Sequence, residues 1–211
     1  KVPMIATMTA KGLVGVSANT GQFLWRYDRP ANGTANCPSP VVAGNRIFQA
    51  TGYGQGGGAA DIIVNGGAVT ARQAWETKDM VCHHGGYVVV DGFIYGNHGG
   101  AYACLDLKTG EKKWTGKGPG KGSVIYADGM LYCLGENGSV GLIEAKPDGY
   151  KQTGQFKLPP EGQGQAWAHM AIANGRLYIR HGDMLYCYDI KDPAAAGEKP
   201  AEKPAAKPAE K

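Results

Sequence analysis

A repeated pattern runs along most of this chain and constrains its fold more than any other feature. Four segments share a short apolar run, a turn with glycine and an aromatic-rich run: VVAGNRIF (41–48), VVVDGFIY (88–95), VIYADGMLY (124–132) and AIANGRLY (171–178). Asn, Asp and Gly between alternating apolar residues indicate β-hairpins, because these residues accept the positive φ angles of two-residue turns. Each segment is therefore predicted to form two antiparallel strands.

A second pattern alternates with the first and ends in an aromatic residue. Its copies are GVSANTGQFLW (15–25), IIVNGGAVTARQAW (62–75), CLDLKTGEKKW (104–114) and LIEAKPDGYKQTGQF (142–156). Joined to the first pattern, each copy completes a unit of four antiparallel strands. Units of this kind that recur every ~40–50 residues are typical of a β-propeller. Three tryptophans are expected to pack between adjacent blades: Trp25, Trp75 and Trp114.

The motif of an apolar residue, Asp, Thr-Gly and Trp resembles the PQQ-like repeat of quinoprotein-type propellers, and LDLKTGEKKW (105–114) is its closest copy. The resemblance covers residues 11–190 and is to bacterial PQQ-binding-like proteins. These are related in fold to the outer-membrane assembly lipoprotein and, more distantly, to quinoprotein alcohol dehydrogenases. The resemblance implies an all-β propeller of four-stranded antiparallel blades and a periplasmic or secreted location.

The repeat boundaries predict how much of a propeller the chain supplies. Residues 4–27 hold only the last three strands of a blade, three complete blades follow, and the last unit stops after three strands. These four to five blade units are fewer than the about seven or eight of the family's propellers. Either the chain is the C-terminal part of a larger propeller, which we expect, or a small ring closes by pairing residues 176–190 with the N-terminal strands.

The C-terminal segment differs from the rest of the chain. Residues 1–192 are predicted to form the propeller blades, and residues 193–211 (PAAAGEKPAEKPAAKPAEK) a disordered tail. Pro, Ala, Glu and Lys without aromatic or β-branched side chains cannot bury enough apolar surface to fold.

Charge, hydropathy and cysteine content exclude several classes of function. The net charge is only +4, and four lysines belong to the tail, so no basic face for nucleic acid is predicted. No apolar run reaches the roughly 20 residues that a membrane-spanning helix needs, and no signal peptide is visible at the N-terminus. The five cysteines form no Cys-x-x-Cys pair, so a disulfide framework is not expected.

Propeller geometry predicts one functional face. Because strands alternate in direction, the loops between blades and those between the second and third strands emerge on the same side, and loops on a rigid scaffold usually carry binding. We call this side the loop face. Its candidate ligand-binding residues are Asn36, His83, His84, Asn97, His98, Glu136, Asn137, Trp167, His169 and His181. Four residues share one repeat position, at the mouth of the central channel: Asn36, His84, Lys121 and Trp167.

The segment VCHHGGYVVVDGFIYGNHGG (81–100) also resembles a metal-binding sequence, because three histidines flank an apolar run. If the segment forms two strands joined by a turn, the chain comes back to the face from which it started. This explains the spacing from His84 to His98 without an ion. A metal site needs several side chains about 2 Å from one ion. No metal site is therefore predicted, and hydrogen bonds to neighbouring backbone are the expected role of single histidines.

Two functions remain. The preferred one is a non-catalytic binding or scaffold module that holds a protein, peptide or saccharide on its histidine-rich loop face. The alternative is a fragment of a quinoprotein-type, PQQ-dependent alcohol dehydrogenase. The resemblance implies that such enzymes stack PQQ between a Trp and adjacent disulfide-bonded cysteines, with calcium and an Asp base. This chain has no adjacent cysteines and offers only Trp167, Glu136 with Asn137, and Asp183, so no cofactor is expected.

Overall fold

The structure, a computed structural model, describes residues 2–191. These residues form eighteen strands in five antiparallel sheets, and none of them lies in a helix that is long and apolar enough to cross a membrane. The all-β prediction is confirmed. The predicted tail, residues 193–211, lies outside the described residues.

The sheets are numbered along the chain. Sheet 1 contains β1 (Met4–Thr9), β2 (Gly12–Ser17) and β3 (Phe23–Tyr27). Sheet 2 contains β4 (Val41–Ala43), β5 (Arg46–Thr51), β6 (Gly56–Asn65) and β7 (Ala68–Thr77). Sheet 3 contains β8 (Tyr87–Val90), β9 (Phe93–His98), β10 (Ala101–Asp106) and β11 (Lys112–Gly116). Sheet 4 contains β12 (Gly122–Ala127), β13 (Met130–Gly135), β14 (Ser139–Glu144) and β15 (Gln152–Lys157). Sheet 5 contains β16 (Ala171–Ala173), β17 (Arg176–His181) and β18 (Met184–Asp189).

Strand order follows the predicted blade pattern. Sheets 2, 3 and 4 each have four strands paired in sequence order, and sheets 1 and 5 have three. Because β3 carries Trp25, sheet 1 holds the second to fourth strands of a blade, while sheet 5 holds the first to third. Within residues 2–191 the two three-stranded sheets stay separate, so the small ring closed by pairing residues 176–190 with β1–β3 does not form.

Turn chemistry explains the hairpins that begin each blade. Two consecutive residues with positive φ join the first and second strands of three sheets: Asp91 (49°) and Gly92 (81°), Asp128 (49°) and Gly129 (78°), and Asn174 (53°) and Gly175 (72°). Such turns match the right-handed twist of the strands they connect. The predicted hairpins are confirmed at these positions.

The connection between the second and third strands of sheet 2 is short although its sequence is rich in glycine. Residues 51–60 (TGYGQGGGAA) have a composition typical of a loop, but β6 already begins at Gly56. Gly57 and Gly58 are buried in that strand, where a Cβ atom would collide with Ala50 and with the Tyr27 hydroxyl. Glycine here allows close packing of neighbours rather than a loop.

Tryptophans close the interfaces between consecutive sheets, as expected. Trp75 Nε1 donates to the Leu107 carbonyl of the next sheet at 3.0 Å, and Trp114 Nε1 donates to the Lys146 carbonyl at 2.7 Å. The Trp75 ring also lies over Gly110, where a Cβ atom would come within 2.6 Å of it. A repeated indole–carbonyl contact therefore links each of these sheets to the next.

Candidate functional site

Side chains from four loops meet on the loop face. His84 lies between β7 and β8, Lys121 between β11 and β12, Glu136 between β13 and β14, and Trp167 and His169 between β15 and β16. We call these five residues the channel-mouth cluster. The first strands of sheets 2, 3 and 4 lie side by side beneath it, because β8 contacts both β4 and β12.

One oxygen of Glu136 is the centre of the cluster. Its Oε1 accepts a hydrogen bond from Trp167 Nε1 at 2.7 Å, and lies 3.1 Å from His84 Nε2 and 3.1 Å from Lys121 Nζ. The His84 and Trp167 rings are in contact, with centroids 5.7 Å apart. A single carboxylate thus holds three side chains that come from three different loops.

The surroundings of Glu136 set its charge. Partial burial raises the pKa of this carboxyl, but hydrogen bonds from Trp167, Lys121 and His84 outweigh the burial and lower the pKa below its ordinary value of 4.5. Glu136 is therefore ionised at neutral pH, and its charge is balanced by the Lys121 ammonium. Charge-assisted hydrogen bonds of this kind are about twice as strong as neutral ones.

The indole of Trp167 is fixed and yet open to solvent. Its Nε1 is bound to Glu136, while 58% of the residue surface stays exposed. A shallow cavity of about 230 Å³ lies beside it, lined also by Gln165 and Arg180. An exposed aromatic ring in one orientation, next to polar and cationic side chains, is a surface on which a ligand can stack.

A second cavity borders the cluster on the side of His84 and His169. It has a volume of about 280 Å³ and is lined by His84 and His169 together with Ser39, Tyr87 and Cys37. His169 Nε2 lies 3.4 Å from the His84 carbonyl oxygen, so this histidine borders the cavity beside the main cluster. The channel-mouth cluster therefore lies between two cavities rather than on a flat surface.

Three predicted asparagines lie outside the cluster and bind backbone. Asn36 accepts from the Asn32 amide at 2.9 Å and donates to the Asn32 carbonyl at 3.0 Å, which closes its own loop. Asn137 Oδ1 accepts from the Ser139 amide at 2.9 Å. Asn97 is buried and donates to the Gly120 carbonyl at 3.2 Å. These contacts stabilise loops and turns.

Three predicted histidines also contact backbone or packing partners instead of the cluster. His98 Nδ1 accepts from the Val81 amide at 3.2 Å, and His181 Nε2 lies 2.8 Å from the Gly164 carbonyl. The His83 ring packs on Tyr53, with centroids 4.7 Å apart. Burial lowers the pKa of both His83 and His98, so both are neutral at neutral pH.

The structure thus brings four of the ten candidates together: His84, Glu136, Trp167 and His169. Lys121 joins them although it was not among the candidates. The sequence feature that could have identified Lys121 is its repeat position, which it shares with His84 and Trp167. Asn36 has the same repeat position but binds its own loop, so that signal alone does not identify the site.

The donor set of the cluster does not fit calcium-bound PQQ. Calcium takes about six to eight oxygen ligands, whereas the Glu136 oxygen is already surrounded by the N–H groups of Trp167, His84 and the cationic Lys121. Within residues 2–191, no three His, Cys, Asp or Glu side chains are grouped so that they could hold a metal ion. All five cysteines are free thiols, and no two are adjacent in sequence.

Comparisons with known proteins support the fold. The family model described as outer membrane protein assembly factor BamB matches residues 4–116, more than half of the chain. No curated protein sequence matches the chain significantly.

Three solved structures show the extent of the similarity. The computationally designed Ika8 protein matches with a TM-score of 0.60 at 11% identity, over 90% of this chain and 56% of Ika8. Quinohemoprotein alcohol dehydrogenase ADHIIG from Pseudomonas putida HK5 matches with a TM-score of 0.61 at 16% identity, over 90% of this chain and 41% of the enzyme. BamB from Moraxella catarrhalis matches with a TM-score of 0.49 at 14% identity, over 87% of this chain and 68% of that protein.

At these identities the structural matches describe the fold alone. The similarity to the dehydrogenase, together with the five antiparallel sheets, confirms the predicted β-propeller. The chain spans about half the length of the first two matched proteins, 56% of one and 41% of the other.

Proposed function

The chain belongs to the PQQ-like propeller family described as outer membrane protein assembly factor BamB, and we propose that it is a non-catalytic binding module. Its ligand is a protein, peptide or saccharide that docks on the loop face. The observation that carries this proposal is the convergence of His84, Lys121 and Trp167, from three loops, on one oxygen of Glu136.

Preorganisation supports a binding role for the cluster. Because Glu136 fixes the Trp167 indole before any ligand arrives, little side-chain freedom is lost on binding. Tryptophan is also among the residues that most often dominate interface energies. The exposed ring between two cavities therefore has the properties of an anchor for a ligand.

The lowered pKa of Glu136 supports a non-catalytic role. A general base works best with a pKa near the operating pH, whereas hydrogen bonds hold the pKa of Glu136 below its ordinary value of 4.5. The carboxylate is thus a weak proton acceptor at neutral pH. It acts as a structural centre for the loops.

We also propose an extracytoplasmic location, either periplasmic or secreted. The family description refers to an assembly factor for outer membrane proteins, and this supports both the location and a polypeptide as the first ligand class to test.

The proposal is tested by screening the chain against arrays of peptides and oligosaccharides. The affinity of each ligand that binds is then measured by calorimetry. We expect the ligands that bind the unaltered chain to bind Glu136→Gln and Trp167→Ala at least about tenfold more weakly, as for the loss of a contact at an interface centre. Glu161→Gln is the matched control, because Glu161 is exposed in the same loop as Trp167. Ligands that tolerate both cluster variants would show that binding occurs elsewhere.

A further inference from the structure

One residue on the loop face has a backbone conformation that its side chain disfavours. Tyr53, in the connection between β5 and β6, has a φ of 57°. In the corresponding connections of sheets 3, 4 and 5, the residues with positive φ are glycines: Gly99, Gly138 and Gly182. A bulky side chain in this left-handed region is strained, and such strain is concentrated at ligand clamps and other functional positions. The conformation of Tyr53 therefore indicates a function.

Hydrogen bonds fix the connection that carries Tyr53. Lys78 Nζ donates to the carbonyl oxygens of Gly54 and Gln55, at 3.0 Å each. The side-chain amide of Gln55 donates to the Arg29 carbonyl at 2.6 Å. The connection is thus held on both sides, while 56% of the Tyr53 surface stays exposed.

His83 supports the ring of Tyr53. The two ring centroids are 4.7 Å apart, and the Tyr53 amide nitrogen lies 3.5 Å from His83 Nε2. Burial lowers the pKa of His83, so its neutral imidazole can accept this N–H at neutral pH. A Cβ atom at Gly52 would come within 2.8 Å of the His83 ring, so glycine at this position makes room for the histidine.

Two adjacent histidines connect Tyr53 to the channel-mouth cluster. His83 packs on Tyr53, and His84 packs on Trp167 with centroids 5.7 Å apart. Because consecutive Cα atoms are only about 3.8 Å apart, both contacts start from nearly the same place in the backbone. Tyr53 and Trp167 are 56% and 58% exposed, so the loop face carries two open aromatic rings that one extended ligand can contact.

The polar surroundings of Trp167 favour a neutral ligand with hydrogen-bond acceptors. Lys121 shares the Glu136 oxygen with Trp167, Arg180 lines the cavity beside Trp167, and both cationic side chains carry donors only. The same loops carry two exposed carboxylates, at residues 161 and 183. Positive charge is therefore balanced, and an acidic ligand gains no net attraction.

We propose that the loop face binds a proline-rich segment of a partner protein, which lies across Tyr53 and Trp167. Proline-rich segments adopt the polyproline II helix before they bind, so they lose little chain entropy, and they dock on surfaces lined by aromatic rings. Proline has no backbone N–H, so such a segment offers carbonyl acceptors to Lys121 and Arg180. This inference rests on the proposed function, because Trp167 anchors the ligand in both.

Titration of the 211-residue chain with decaproline tests the proposal, followed by the amide and indole N–H signals in nuclear magnetic resonance. We expect saturable shifts at Tyr53 and Trp167. A glycine–serine peptide of the same length should bind at least about tenfold more weakly, because it has no proline rings and is a flexible coil.

Three variants of the chain locate the binding site. Tyr53→Asn and Trp167→Ala should each weaken the binding of decaproline about tenfold, as for the loss of an aromatic anchor. Tyr126→Ala is the matched control and should bind decaproline as the unaltered chain does. Tyr126 is 41% exposed and lies beside the turn from β12 to β13, on the side opposite the loop face.

Tyr53→Asn also separates binding from stability. Asparagine adopts a positive φ more readily than tyrosine does, so we expect the midpoint of urea unfolding not to fall. If Tyr53 served only the fold, its replacement would lower that midpoint.

Several results would overturn the inference. These are the absence of a saturable shift with decaproline, equal binding of the glycine–serine peptide, a lower unfolding midpoint for Tyr53→Asn, or equal weakening by Tyr126→Ala. If Trp167→Ala weakens binding and Tyr53→Asn does not, or if the ligand proves to be a saccharide, the inference fails and the proposed function stands. Binding that tolerates both Tyr53→Asn and Trp167→Ala contradicts the inference and the proposed function together.

Discussion

At the scale of single residues, one carboxylate organises the proposed binding site. Glu136 joins Trp167, His84 and Lys121, which come from loops far apart in sequence. Because one oxygen accepts all three contacts, loss of its charge weakens them together. The channel-mouth cluster is therefore expected to respond to pH as a unit.

The first prediction concerns that response. Since the folded state lowers the pKa of Glu136 below 4.5, the contribution of Glu136 to stability is complete above about pH 4.5 and is lost as the pH falls through the lowered pKa. The side-chain carboxyl ¹³C signal of Glu136, followed by nuclear magnetic resonance, should titrate with a midpoint below pH 4.5. In Glu136→Gln this signal and its titration should be missing, which assigns it. A midpoint of the Glu136 signal at or above pH 4.5 would contradict the account.

The second prediction compares equivalent tryptophans. Trp75→Phe and Trp114→Phe each remove a hydrogen bond to the next sheet, whereas Trp25→Phe removes a donor without a partner. We expect the first two to lower the free energy of unfolding by about 0.5–1.5 kcal/mol more than the third. Urea unfolding measures the difference, and equal losses at all three positions would show that these contacts contribute nothing.

At the scale of strands and turns, one of two equivalent Thr-Gly turns holds its sheet against the preceding one. Gly110, with a φ of 78°, lies under the Trp75 ring of the preceding sheet. Gly21, in the corresponding turn of sheet 1, has a φ of 72° and no neighbouring atom within 4 Å of a built Cβ. The same dipeptide therefore serves only as a turn in sheet 1, and as a turn and a packing surface in sheet 3.

The third prediction follows from this difference. Gly21→Ala adds only the strain of a left-handed backbone, about 1 kcal/mol. Gly110→Ala adds the same strain and also overpacks Trp75, which costs roughly 1–3 kcal/mol more. Chemical denaturation of the two variants measures both effects. If Gly110→Ala is no more destabilising than Gly21→Ala, the turn does not support the interface as described.

Local chemistry determines which parts of the fold can be predicted from the sequence. The Asp-Gly and Asn-Gly turns predict their hairpins because positive φ angles depend on a few neighbouring residues. The run of Gly56, Gly57 and Gly58 looks like a loop by composition, but glycine is needed at Gly58 because the Tyr27 hydroxyl, distant in sequence, occupies the place of a side chain. A glycine that allows close packing cannot be distinguished by composition from one that allows a turn.

The candidate site, like the fold, can be predicted from the sequence only in part. The shared repeat position places His84, Lys121 and Trp167 near one another, because equivalent loops of a propeller surround the same axis, but it wrongly adds Asn36, which binds its own loop. Their convergence on a single Glu136 oxygen depends on side-chain directions within irregular loops, which no periodic pattern encodes. The backbone partners of His98 and His181 could not be assigned from the sequence for the same reason.

At the scale of the whole molecule, the channel-mouth cluster lies on the loop face, where the loops of consecutive sheets meet. The central claim is that the loop face binds a ligand without catalysis and without a quinone. The competing function, a PQQ-dependent alcohol dehydrogenase, would need Trp167 to stack on the cofactor and Glu136 to hold calcium.

Titration of the protein with PQQ and calcium, followed by absorbance and thermal unfolding, tests that claim most directly. We predict no saturable change in the absorbance of PQQ and no rise in the unfolding midpoint, because Lys121, His84 and Trp167 already surround the Glu136 oxygen. A saturable absorbance change together with a higher midpoint, both abolished by Trp167→Ala or Glu136→Gln, would contradict the account and make the chain part of a quinoprotein.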